Sequence, residues 1–148
     1  MFTREDISRT KQEFWTVFGK YMAPVPSGEG LKISWVNYNT GVKGIYFRMD
    51  TLSDVSSIYV SLEHPDRDIR ELHFEQFLEY KDILHEIIGE EWDWQRDVLV
   101  NDKEGSRIYC ELSNVSVLNK DQWPELISFF KQRMIGLDRF WENGKWGF

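Results

Sequence analysis

From Leu31 to Asp50 apolar and polar residues alternate on both sides of Asn39-Thr40-Gly41, the pattern of two half-buried strands joined by a short turn. A three-residue loop with Gly41 at positive φ sets Tyr38 opposite Val42 and fixes every later pair. Leu31, Ile33 and Trp35 then share a face with Ile45, Phe47 and Met49. Lys32, Ser34, Val36 and Tyr38 share the other with Val42, Gly44, Tyr46 and Arg48. A slip by one residue would turn six large apolar side chains outward, each worth about 1.5–3 kcal/mol when buried, so one register dominates. Ile58, Val60 and Leu62 alternate with Tyr59, Ser61 and Glu63 and predict a third strand, antiparallel to the second. Met49 then meets Ile58, Phe47 meets Val60 and Ile45 meets Leu62.

Helical spacing brackets these strands. Thr3 with Asp6 three residues on starts a helix over about residues 4–22, and Phe14, Phe18, Tyr21 and Met22 mark its stripe before Pro24 and Pro26 end it. Asp66 or Asp68 caps a second helix running from Ile69 to Ile88 and stopped by Gly89. Trp92 to Val100 and Arg107 to Leu112 predict a second hairpin around Asn101 to Gly105, with Arg107, Tyr109 and Glu111 on one face and Ile108, Cys110 and Leu112 on the other. A last helix, capped by Asn119 or Asp121 with Pro124 in its first turn, carries Leu126, Phe130, Met134, Leu137 and Trp141. The order α-β-β-β-α-β-β-α, linked by hairpins, predicts one α+β domain over residues 1–148. Helices cover one face of a mostly antiparallel sheet.

Composition narrows the function classes. Of 148 residues, seven are Trp, ten Phe and six Tyr, a density that suits a thick core and an interaction surface, whether for a protein partner or for self-association. No apolar run reaches the roughly 20 residues of a membrane helix, and Met1 to Asp6 have no hydrophobic centre of a secretory signal, so the expectation is a cytoplasmic protein. The net charge of −7 is uneven: residues 1–60 hold seven Lys/Arg against six Asp/Glu, and residues 61–148 hold eleven against nineteen. Nucleic-acid binding needs clustered cations and is disfavoured, most of all in the acidic second part. The single Cys110 excludes an internal disulfide and a thiolate zinc site.

The catalytic patterns are incomplete. No glycine loop precedes Lys-Ser/Thr, no serine sits in a Gly-x-Ser-x-Gly elbow, and His64, His73 and His85 lack the spacing of a helical zinc pair. One helix, three strands, a helix and a strand is also the core order of restriction-endonuclease-like nucleases. In that reading Asp50 ends the second strand and Glu63 supplies a second acid for Mg²⁺, but Pro65 stands where the pattern wants lysine. Pro65-Asp66 with Glu79-Tyr80-Lys81 meets the same motif as text but falls in or beside a helix. The leading expectation is therefore a non-enzymatic module without a cofactor. Its binding face is Lys32, Tyr46, Arg48, Tyr59 and Glu63, and a divergent nuclease using Asp50, Glu63 and Mg²⁺ is the alternative.

Trp35, Gly41-x-x-Gly44-Ile45-x-Phe47, Phe74-Glu75-x-Phe77, Ile88-Gly89-Glu90-Glu91-Trp92-x-Trp94 and Ser106-Arg107-Ile108-Tyr109 carry a resemblance over almost the whole chain. The sequence resembles the bacterial domain-of-unknown-function family numbered 4268. In longer members that domain looks like a C-terminal partner to nuclease-like or restriction-associated segments, which implies a place near DNA metabolism or defence. The resemblance supplies no catalytic residues.

Overall fold

Thr3 Oγ1 accepts the Asp6 amide and the Asp6 carboxylate accepts the Thr3 amide, a reciprocal cap that opens helix α1 (Arg4–Met22). The computed structural model describes residues 2–148. Phe14, Phe18 and Met22 of α1 are buried, while Tyr21 stays exposed. Strands β1 (Ile45–Thr51) and β2 (Val55–Leu62) pair antiparallel with Met49 on Ile58, Phe47 on Val60 and Ile45 on Leu62, the register that the alternation predicts. Helices α2 (Arg67–Glu79) and α3 (Lys81–Ile88) follow, then strands β3 (Asp93–Val100) and β4 (Lys103–Ser113), and helix α4 (Trp123–Gly144) comes last after a short 3₁₀ turn. The fold is α+β, with one antiparallel sheet in the order β1-β2-β4-β3.

Two elements depart from expectation. The strand predicted over residues 31–38 does not form, and the observed order is α-β-β-α-α-β-β-α. Local bonds occupy backbone groups in this stretch and in the turn after it, the competition that polar residues offer to sheet ladders: the Leu31 amide donates to Ser27 Oγ and its carbonyl accepts the Ser27 amide. Ser34 Oγ accepts the Asn37 amide, Asn39 Oδ1 accepts the Gly41 amide, and Thr40 Oγ1 donates to the Ile45 carbonyl at 2.7 Å. Trp35 sinks into the core and donates its indole N–H to Val25, whereas Leu31, the first member of the predicted face, is 57% exposed. The predicted second helix also divides, at Tyr80 (φ −97°, ψ 8°). The turn there lets the Tyr80 ring pack against both Phe140 and Phe148 while α3 runs on beside α4.

The second hairpin is tighter than expected. Asn101 and Asp102 alone turn it, with φ of 51° and 64°, the left-handed pair of a two-residue turn. Asp97 (φ 53°) marks a bulge in β3 between Gln95 and Val98. Ile45, Phe47, Ile58, Val60, Leu62 and Ile108 form the covered sheet face. Against it lie α2 and α4, the latter through the predicted stripe Leu126, Phe130, Met134, Leu137 and Trp141, all buried. Among the described residues no helix is long and apolar enough to cross a membrane.

Gly44 joins the irregular segment to β1 at φ +88°, and a Cβ there would lie 2.6 Å from His64 Cβ and 2.8 Å from its Cα. Gly44→Ala is therefore expected to cost about 2–3 kcal/mol, read as a lower midpoint in urea unfolding.

At the C-terminal end, Phe148 packs on Phe77, Trp141, Tyr80 and His73, and Gln76 donates to the Gly147 carbonyl. Trp146 beside it is 82% exposed. The buried His73 Nδ1 has no hydrogen-bond partner. Burial first, and then the neighbouring His64, hold the His73 pKa below its ordinary 6.5. The unfolded chain thus takes up the proton more readily, and the stabilisation present above pH 6.5 is lost as pH falls below that value. Melting temperature is expected to drop between pH 7.5 and 5.5, with a shallower slope for His73→Phe.

Candidate functional site

Because side chains alternate across a strand, the register that buries Phe47, Val60 and Ile108 against α2 and α4 sends Tyr46, Arg48, Tyr59, Arg107 and Tyr109 to the other face, which no helix covers among the described residues. Tyr46, Ser61, Arg107 and Gln95 form one row across the sheet, and Arg48, Tyr59, Tyr109 and Asp93 form the next. Arg48 donates through Nε to Glu63 at 2.7 Å and lies over the Tyr46 ring at 4.4 Å. Arg107 donates through Nε to Gln95 Oε1 at 2.6 Å and covers the Tyr109 ring at 4.0 Å and the Tyr59 ring at 6.0 Å. Tyr59 is only 6% exposed, and the amide of Asn101 reaches its hydroxyl at 3.5 Å. Each guanidinium is thus restrained twice, by a ring beneath it and by an Nε hydrogen bond.

Electrostatics reinforce the arrangement. Burial would raise the Glu63 carboxyl, but its hydrogen bond to Arg48 and the Arg48 charge outweigh this and keep the pKa below the usual carboxylate value. The same hydrogen bond raises Arg48. A hollow of about 1010 Å³ opens beside β1, lined by residues 36–43, by Tyr46, Arg48 and Asp50, and by Tyr59 and Asn101.

Of the sequence-predicted face, Tyr46, Arg48, Tyr59 and Glu63 come together. Lys32 does not: the strand that would have carried it is absent, and it sits exposed in the irregular segment. Asp50 faces the same side as Arg48 but pairs with Ser57, six residues along β2 from Glu63, so the backbones of the two acids stand about 20 Å apart, and the Glu63 carboxylate is taken up by Arg48. They cannot share one Mg²⁺, which needs its ligands at about 2.1 Å. Glu63 is instead the partner of Arg48. No group of three His, Cys, Asp or Glu side chains among the described residues is arranged to hold a metal ion.

Arg107, Tyr109, Gln95 and Asn101 also belong to the face. The alternation in β4 already placed Arg107 with Tyr109, but only the pairing of β4 beside β2 brings them to Tyr59.

The other polar clusters fasten elements together. Asp138, 5% exposed on α4, accepts the Tyr38 hydroxyl at 2.6 Å and the Gly28 amide at 2.8 Å, tying the irregular segment to α4. Glu90 takes two hydrogen bonds from Arg133 and one from the Trp92 indole. Half-buried Cys110 lies 3.6 Å from Glu90, and burial followed by the Glu90 charge pushes its thiol up, away from the thiolate a nucleophile needs. Trp35, Trp92, Trp123 and Trp141 are core residues.

The fold and this face define a class: an α+β domain whose single sheet is covered by helices on one side and presents an ordered Tyr/Arg surface on the other. Residues 10–145 match the family described as a domain of unknown function (DUF4268), and the chain belongs to that family. No curated protein and no solved structure matches it.

Proposed function

We propose that the domain is a non-enzymatic binding module that recognises a protein partner through the open sheet face. The observation that carries this reading is the Tyr46/Arg48/Arg107/Tyr109 surface, laid over the buried Tyr59 ring and left uncovered by helices, whose arginines are anchored before any partner arrives. Preorganised side chains lose little further entropy on binding, and Tyr with Arg is the pairing enriched where interfaces concentrate their energy. The alternative, a metal-dependent nuclease built on Asp50 and Glu63, is disfavoured because the two acids stand at opposite ends of the β1–β2 pair. The family resemblance directs the first search for the partner to proteins of DNA metabolism or defence.

A photo-crosslinking amino acid at position 46, compared with one at the exposed Leu72 of α2, tests this in cell extract. A discrete protein adduct is expected from position 46 and not from position 72, and Arg107→Ala should abolish it. Adducts from position 72 alone, or none from position 46, would refute the assignment.

A further inference from the structure

Both arginines of the open face are held in the same way. Each guanidinium uses Nε alone, Arg48 toward Glu63 and Arg107 toward Gln95, and each lies against a tyrosine ring. Neither has a hydrogen bond from Nη1 or Nη2 among the described residues, so the outer edge of each fork is oriented and unused. Such an edge matches the two oxygens of a carboxylate with parallel N–H donors. Arg48 on β1 and Arg107 on β4 are separated by β2 and lie in neighbouring rows, which sets their backbones about 12 Å apart. Tyr59 lies between them.

The charges around this pair select the kind of ligand. Asp50, Asp93 and Glu111 are exposed on the same face, Asp93 at the far end of Arg48's own row and Asp50 and Glu111 one row beyond it. With a net charge of −7, these acids oppose a polyphosphate chain, whose affinity depends on many cations acting together. A polypeptide can vary its charge along its length. Resting on the binding-module reading above, we infer that the open face takes an acidic peptide segment, with Arg48 and Arg107 as its two carboxylate receptors. Basic residues flanking that segment meet Asp50 and Glu111.

The test uses the full chain and a blocked heptapeptide, acetyl-Ser-Glu-Ser-Glu-Ser-Lys-Lys-amide, titrated by NMR chemical shifts of β1, β2 and β4 amides. Binding is expected to perturb the amides around Arg48, Tyr59 and Arg107. Exchanging both glutamates of the peptide for glutamine should weaken it at least about tenfold, as one charge-assisted fork lost is worth that much. Arg107→Gln should give a loss of about fivefold or more, and Arg107→Lys, which keeps the charge but not the fork, an intermediate one. Melting curves establish that each variant is folded.

Equal binding of the glutamine peptide, no effect of Arg107→Gln, or tighter binding of a twelve-nucleotide oligothymidylate at the same amides would each overturn the inference. If the glutamate peptide fails while the position-46 adduct persists, only the acidic-peptide assignment falls. Loss of both would remove the binding-module reading as well.

Discussion

Trp141→Ala is expected to lower stability by about 4 kcal/mol and the melting temperature by roughly 12 °C, within the range for a large buried aromatic in a domain of this size. Trp141 is 2% exposed and meets four parts of the fold at once. Its ring packs edge-on to Phe47 of β1, stacks with Phe77 of α2 and touches Phe148, while its indole N–H donates to the Thr40 carbonyl at 2.8 Å. Truncation opens a cavity among all of them and leaves a buried carbonyl unpaired. Trp141→Phe keeps most of the packing but still strands the Thr40 carbonyl, so about 2 kcal/mol is expected. Urea unfolding of the three proteins gives the comparison. A loss below about 1 kcal/mol for the alanine variant would mean that the irregular segment and α4 are not joined as described.

The second large effect belongs to Asp138. Asp138→Ala removes the acceptor of both the Tyr38 hydroxyl and the Gly28 amide and is expected to cost about 3 kcal/mol. Tyr38→Phe leaves one carboxylate oxygen without its donor and should cost about 1.5–2 kcal/mol. The double variant should lose about 1 kcal/mol less than the sum, because the shared bond can be lost only once. Burial and, next, the Asp138 hydrogen bond push the Tyr38 phenol well above its ordinary pKa of 10, so the donor keeps its proton throughout the neutral range. The coupling should therefore be the same at pH 6.5 and pH 8.5. Additive losses would show that the two side chains do not meet.

These two residues also explain why the sequence misled where it did. Local patterns foresaw α1 with its Thr3/Asp6 cap, the β1–β2 register and the α4 stripe, because each rests on spacing within one element or between neighbours in the chain. Residues 31–38 alternate like a strand, yet Tyr38 is drawn to Asp138, 100 residues away, and Trp35 to the core under Val25. Such distant partners leave no trace in periodicity. Tyr80 sits at helical spacing and still ends α2, since the bend is set by its contacts with Phe140 and Phe148.

The candidate site divides along the same line. Tyr46, Arg48, Tyr59 and Glu63 were legible because they lie on sequential strands. Arg107, Tyr109 and Gln95 were legible only as residues of a second hairpin, and the step that unites them with Tyr59 is the insertion of β4 between β2 and β3. Lys32 belongs to the face only if residues 31–38 form a strand, which they do not, and element order alone does not tell that Asp50 and Glu63 occupy opposite ends of the β1–β2 pair.

The central claim is that the Tyr/Arg face binds a partner and is not itself needed to hold the fold together. The most direct measurement combines melting temperature with protein adduct formation from a photo-crosslinking amino acid newly placed at position 109 of the same face, for a Tyr46→Ala/Arg48→Ala/Arg107→Ala variant beside the otherwise unaltered face. The account predicts a melting temperature within about 6 °C, as expected for roughly 2 kcal/mol of half-exposed contacts, and complete loss of the adduct. A variant that unfolds, or one that forms the adduct undiminished, would contradict it.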